Sequence, residues 1–250
     1  SRARMDAMRD RIESLELPPE LKAIVLVSLM EAADRVDSTT GVQMAYLKQW
    51  AARSHNDIEL RMPAVQPRVS GGKCIATQAD AEEISSEIVA DVAYLDPPYN
   101  QHSYLGNYHI WETLVRWDEP DFYGIACKRE DCRTRKSAFN GRRALFSAME
   151  EVLNNLKAKS LVISFNNEAY ISRDQMESLL KGRGDLDVIE IAHDRYVGAK
   201  IGIYNPSGEK VGAVGHLKNK EYLYVLKVDQ ASQDVVKQVA AMPTVDRMVA

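Results

Sequence analysis

Four consecutive residues, Asp96-Pro97-Pro98-Tyr99, bring a carboxylate, a stiffened bend and an aromatic ring to one point of the chain. An apolar stretch of strand type, residues 91–95, leads into them. Each proline lacks the N–H that a central strand needs, so the strand must stop at Asp96. The Asp96 carboxylate and the Pro97 carbonyl can both accept hydrogen bonds from a single amino group. The ring of Tyr99 can stack on a planar heterocycle. An exocyclic amine held by two acceptors loses conjugation with its ring, and its lone pair becomes free to attack an electrophile. Nothing in the motif calls for a metal or a covalent nucleophile. In open α/β sheets ligands bind outside the carboxyl ends of the strands, which makes this strand end a candidate active site.

The elements that must position it read as follows. Residues 2–17 carry Met5, Met8, Ile12 and Leu15 at helical spacing. A second helix is expected over 19–36, apolar on nearly every side and so buried, with Pro19 in its first turn. A third is expected over 42–53. Prolines 63 and 67 and Gly71-Gly72 mark a linker. Residues 73–77 are then a short strand candidate, 81–89 a short helix and 91–95 the central strand. Residues 103–117 are aromatic-rich and helical, and 118–140 mainly loop. Further helices are expected over 142–156 and 172–181, the latter with Ser172 as N-cap. Strands are expected over 160–165, 186–192 and 221–228, and a hairpin over 196–214 around Asn205-Pro206-Ser207-Gly208. Strands alternating with helices predict an α/β fold: a mostly parallel sheet with an antiparallel edge hairpin, preceded by a helical layer. The domains expected are a helical region over 1–70, a catalytic region over 71–229 and a helical tail over 230–250.

Composition narrows the surroundings. The 250 residues are 45% hydrophobic and 27% charged, with a formal net charge of −4. That balance is ordinary for a globular protein and does not by itself mark a nucleic-acid binder. No apolar run approaches the roughly 18 residues that span a bilayer. Three cysteines, an odd number, suit reduced thiols, and a cytoplasmic setting is expected. Cys127 and Cys132, with His102 and His109 upstream, lack a second pair of zinc-like spacing and read as ordinary residues. Lys128, Arg129, Arg133, Arg135 and Lys136 form a local basic excess. Phosphate contact is one reading of it and a solvated loop the other. Asp80 suits a helix N-cap as well as a ligand contact.

These residues resemble the S-adenosylmethionine-dependent amino-methyltransferases that modify adenine in DNA. The resemblance is carried by Asp96-Pro97-Pro98-Tyr99 with Asn100 and by Asn107-Tyr108-His109-Ile110-Trp111-Glu112. It extends to the region 34–41 with Ala45-Tyr46-Leu47-Lys48-Gln49-Trp50, to Ser164-Phe165-Asn166, and to Asn219-Lys220-Glu221-Tyr222-Leu223. It covers about residues 29–228 and implies a Rossmann-like methyltransferase sheet. It also implies that a target adenine leaves double-stranded DNA for a pocket. There Asp96 and the Pro97 carbonyl hold its amine, with Pro98 stiffening the corner and Tyr99 against the base. Asp80 matches a position that contacts the cofactor's adenine, and Asn100 lies near cofactor or pocket. Restriction-modification is one setting the resemblance implies, and action alone is the other.

One departure stands out. The family cradles its cofactor on a Phe-x-Gly-x-Gly turn after its first strand, and this sequence has none. Its Gly182-Arg183-Gly184 follows a helix instead. The turn is therefore expected from a preceding segment or from a partner chain; otherwise the protein is a non-catalytic nucleic-acid-binding subunit. A related amino-methyltransferase acting on RNA or protein is the other alternative.

Overall fold

The computed structural model describes residues 2–44, 49–67, 71–194, 203–204, 210–212 and 218–228. In chain order its helices are α1 (Arg2–Ser14), α2 (Pro19–Asp34), α3 (Ala81–Ile84), α4 (Tyr104–Asn107), α5 (His109–Arg116), α6 (Asp131–Thr134), α7 (Leu145–Asn155) and α8 (Arg173–Leu180). The strands are β1 (Val89–Leu95), β2 (Phe122–Tyr123), β3 (Lys128–Arg129), β4 (Lys157–Asn166), β5 (Gly184–Asp194), β6 (Ile203–Tyr204), β7 (Lys210–Gly212) and β8 (Lys218–Val228). The chain divides into two compact units. One comprises Ser1–Ala76 with Tyr104–Arg135, the other Thr77–Ser103 with Lys136–Ala250.

The second unit is built on a sheet of order β1-β4-β8-β5. β1 and β4 run parallel, and β8 lies antiparallel between β4 and β5, so three of the four strands share one direction. This is a mixed α/β sheet of Rossmann-like type. On one face Leu161, Ile163 and Phe165 of β4 and Tyr222, Tyr224 and Leu226 of β8 are buried. They pack in one core with Leu145, Met149 and Val152 of α7 and Met176, Leu179 and Leu180 of α8. The alternation of buried and half-buried residues along β4 follows from the two-residue period of a strand. Ser172 caps α8 as its sequence position predicts, in a full capping box with Gln175. β6 pairs with β7 antiparallel, within the expected hairpin; the rest of that hairpin and the tail 230–250 lie outside the described residues.

The first unit packs α1, α2 and α5 around Ile12, Leu29 and Leu114, with Ala32, Val36 and Ile58 adjoining. Arg9 is buried at 1% exposure. Its Nε donates to the Leu114 carbonyl at 2.7 Å, one terminal nitrogen donates to the Val115 carbonyl at 3.1 Å, and the other pairs with Glu13 at 2.6 Å. A guanidinium thus satisfies carbonyls that the last turn of α5 leaves without intrahelical donors.

Several expectations give way. α2 is not buried all round: Leu21 and Val27 are exposed, because only one stripe of the helix meets α1 and α5. The helix expected over 42–53 is not formed in its described part. Residues 42–44 are turn, and only Ala52–His55 coil into a 3-10 turn. The strand expected over 73–77 is not formed; the segment pairs with no described strand. The aromatic segment splits into α4 and α5 at Tyr108, and Trp117 ends it in a left-handed conformation, φ 54°. The segment 118–140 holds the β2–β3 hairpin and α6.

Candidate active site

β1 ends at Leu95, whose neighbour across the parallel ladder is Ile163 of β4. Beyond that pair the two strands deliver Asp96-Pro97-Pro98-Tyr99 and Ser164-Phe165-Asn166 side by side. β8 enters from the opposite direction, with Glu221 opposite Asn166. Three of the sequence motifs therefore converge at the carboxyl ends of the parallel strands, where α/β sheets place their ligands.

Asp96 is exposed, while Pro97, Pro98, Tyr99 and Asn100 are half-buried. The Tyr99 ring lies 5.5 Å from that of Phe165, tilted by 43°. Asn166 is buried, and its Nδ2 donates to the Tyr99 hydroxyl at 2.8 Å while its Oδ1 accepts from the Glu168 N–H at 2.9 Å. That second bond fixes which end of the amide faces Tyr99. The Tyr99 carbonyl accepts from the Tyr170 N–H at 2.9 Å. The following loop is pinned as well. Asn140 Nδ2 donates to the carbonyls of Asn100 and His102, at 2.8 and 3.2 Å, and Tyr170 Oη donates to Gln101 Oε1 at 2.5 Å. Asn100 Oδ1 accepts from the His102 N–H. The arrangement is a solvent-facing carboxylate beside an aromatic ring held from two sides.

Asn140 and Tyr170 escape sequence reasoning. Asn140 sits in a stretch without periodicity, and Tyr170 follows a turn; neither position carries a local signal. At this same end of the strand pair, Asn219 Nδ2 donates to Glu168 at 3.0 Å, and the Lys220 N–H donates to Asn167 Oδ1 at 2.9 Å, tying β8 to the turn after β4.

Asp80 caps α3 by accepting from the Glu82 N–H at 3.0 Å, and it is exposed. The Gly182-Arg183-Gly184 stretch is structural. A Cβ on Gly184 would meet the Lys227 carbonyl oxygen at 1.9 Å, and Arg183 donates to the carbonyls of Leu179 and Leu153 and to Asn154.

Of the basic residues, Lys128, Arg129, Arg133 and Arg135 lie in the first unit and Lys136 in the second. Arg129 does not stand on the surface where a phosphate contact needs it. Its side chain is 3% exposed, doubly bonded to Asp118 at 2.6 and 2.7 Å and paired with Asp131 at 3.1 Å. The guanidinium holds the carboxyls of Asp118 and Asp131 below the usual range. Arg133 pairs with Glu130 and lies 3.9 Å from the Tyr123 ring, and Arg135 pairs with Glu112 at 3.1 Å; both remain exposed. His109 is fully buried, and among the described residues neither ring nitrogen meets a hydrogen-bonding protein atom. Burial, with Lys128 and Arg129 adding to it, pushes its pKa down. No group of three or more His, Cys, Asp or Glu side chains suited to a metal occurs among the described residues. Nor is any described helix long and apolar enough to cross a membrane.

Fold and site together define an α/β protein of Rossmann-like type with Asp96-Pro97-Pro98-Tyr99 at the carboxyl end of β1, which the sequence reading made the central strand and which lies at the edge of the described sheet. The family pattern of the D12 class N6 adenine-specific DNA methyltransferases matches residues 1–179, and the chain belongs to that family. It is 32% identical over 200 residues to modification methylase StsI of Streptococcus sanguinis, covering 77% of this chain and 30% of that one. It is 28% identical over 186 residues to type II methyltransferase M.FokI of Planomicrobium okeanokoites, covering 73% and 28%. Over 230 residues it is 26% identical to type II methyltransferase M.NlaIII of Neisseria lactamica, covering 90% and 64%. The chain thus spans less than a third of the first two relatives. No solved structure matches it.

Proposed function

We propose that this chain carries the methyl-acceptor half of a DNA adenine-N6 methyltransferase active site. The observation that carries the reading is the strand-end corner, where an exposed Asp96 stands beside a Tyr99 ring locked by Asn166 and Phe165. The adenine amine donates to the Asp96 carboxylate and to the Pro97 carbonyl, while Tyr99 stacks on the extruded base. Pro97 and Pro98 keep the two acceptors from relaxing apart, so orientation supplies much of the acceleration. S-adenosylmethionine, when bound, supplies an electrophilic methyl group on its sulfonium. The residues present fit the acceptor side of that transfer, and we assign Asp80 and Asn100, which lie on the same unit, to the cofactor or pocket side. The glycine cradle is not among them, since Gly184 is committed to close packing against Lys227.

A preceding segment or a partner chain bearing the Phe-x-Gly-x-Gly turn completes the enzyme. Two observations support this. β1 has no second strand partner among the described residues. The face of the sheet away from α7 and α8 carries Val92, 60% exposed, and Tyr94, 59% exposed, with Ile189 and Ile191 also exposed. Parallel sheets of this kind are ordinarily covered on both faces. The half-buried Lys128 and the exposed Arg133, Arg135 and Lys136 supply phosphate contacts, while Arg129 holds the loop that carries the first of them.

Supplying DNA, RNA and protein in turn as methyl acceptors, with tritiated S-adenosylmethionine and the completing segment present, tests the substrate. Label in DNA alone is expected. Label in RNA or protein with none in DNA would transfer the same chemistry to another polymer.

A further inference from the structure

From Cys132 to Met149 the chain carries Arg133, Arg135, Lys136, Arg142 and Arg143 and no acidic residue. Arg133 and Arg135 are drawn into ion pairs with Glu130 and Glu112 of the first unit. Arg142 and Arg143 belong to the second unit and are exposed. Among the described residues neither has a hydrogen bond or an ion pair to another side chain or to the backbone. Of the two, only Arg142 stands over an aromatic ring: its guanidinium carbon lies 5.8 Å from the centre of the Tyr170 ring.

That ring belongs to the strand-end corner. The Tyr170 N–H donates to the Tyr99 carbonyl at 2.9 Å, and the Tyr170 hydroxyl donates to Gln101 Oε1 at 2.5 Å. The chain on both sides of Arg142 is anchored too. Phe139 is buried in the core, and Asn140 Nδ2 donates to the carbonyls of Asn100 and His102. Leu145, which opens α7, is fully buried. Arg142 is thus held one side chain away from the Tyr99 backbone, with its charge unpaired by any described carboxylate. A cation over a ring spends none of its N–H donors on that contact. The planar fork of a guanidinium matches two oxygens of one phosphate, and stacking reduces the freedom it has left to lose on binding.

We infer that Arg142 binds a backbone phosphate flanking the extruded adenine, on the strand that carries it. A nucleotide leaves the duplex by turning about its own backbone, so its phosphates stay within one nucleotide of the gripped base. Arg142 reaches the corner that grips the base through a single intermediate, Tyr170. Holding one phosphate there opposes the return of the base to the stack. The contact positions the strand and reads no sequence, since every nucleotide offers the same oxygens. The inference rests on the proposed action on DNA and adds to that site a residue for the backbone of the target nucleotide.

Affinity of the completed enzyme for double-stranded DNA is measured against salt concentration, with methyl transfer in parallel. Arg142→Gln removes the charge from an exposed side chain and should keep the melting temperature. Its plot of log affinity against log salt should be shallower by about 0.9, the loss of one phosphate contact. Its KM for DNA should rise about tenfold while its KM for S-adenosylmethionine holds. A duplex bearing the methylated sequence is then given a single uncharged methylphosphonate beside the target adenine. That change should weaken binding by the unaltered enzyme about tenfold, and by Arg142→Gln no further. Arg143→Gln removes the same charge one residue away and should stay as sensitive to the methylphosphonate as the unaltered enzyme. An unchanged salt slope in a folded Arg142→Gln protein, or a methylphosphonate penalty that this protein retains, would overturn the inference. A rise in KM for S-adenosylmethionine alone would do the same, by moving Arg142 to the cofactor's carboxylate. So would equal behaviour of Arg143→Gln, which would make the effect one of general charge. A shallower slope without any methyl transfer keeps Arg142 on phosphate and removes the proposed activity. Transfer with an unchanged slope removes the phosphate contact alone.

Discussion

Asp96 and Tyr99 sit three residues apart yet answer to different forces, and substitutions separate them. Asp96 is exposed, so replacing it costs the fold within about 0.5 kcal/mol. Tyr99 accepts a hydrogen bond from buried Asn166. Tyr99→Phe keeps the ring but leaves that amide donor unpaired, and about 1–3 kcal/mol of stability should be lost in urea denaturation. A change indistinguishable from zero would mean that Asn166 finds another acceptor. His109 gives a pH prediction. Burial lowers its folded pKa below the ordinary 6.5, so the unfolded chain binds a proton that the folded one refuses. Stability from this group is whole above about pH 6.5 and is lost as pH falls from there through the folded pKa. Melting temperatures should therefore decline below pH 6.5, and less steeply in His109→Phe. At this scale the sequence was most legible where a motif is contiguous. The Asp96–Tyr99 corner announces itself, whereas Arg9 and Gln43 act on α5 from a hundred and from nearly seventy residues away. No local pattern encodes such distances.

Among the elements, α8 was readable because Ser172 marks an N-cap, which the structure completes as a capping box with Gln175, and β4 and β8 because buried strands are continuous apolar runs. Ser172→Ala should cost about 1 kcal/mol. The helix over 42–53 was misread for a physical reason. Gln43 is drawn out of helical pairing to cap α5, and Thr39 and Ser38 bond locally around Asp37 and Ala51. Gly184 shows the opposite case, where a glycine suggesting a ligand loop is required by packing. At φ +148°, with a carbonyl 1.9 Å from any Cβ, Gly184→Ala must displace β5 from β8. A loss of about 2 kcal/mol or more is expected by calorimetry. Unchanged stability would show that β5 yields freely, and would reopen the loop to other roles.

For the molecule as a whole, the second unit has one face packed by α7 and α8 and another carrying exposed Val92 and Tyr94. On the proposed reading that face and the edge of β1 receive the part of the enzyme that brings the glycine-rich turn. Val92→Lys should then leave the second unit folded within about 0.5 kcal/mol, yet abolish activity of the assembled enzyme. Full activity would place the turn elsewhere. The resemblance implied a cradle and not where it docks, because an unpaired edge exists only once strand order is known. The most direct measurement digests methylated DNA to nucleosides after reaction with S-adenosylmethionine and the completed enzyme. The unaltered chain is expected to yield N6-methyladenine, and Asp96→Ala, folded and binding DNA normally, at least a hundredfold less. Equal N6-methyladenine from both would contradict the assignment of the strand-end carboxylate.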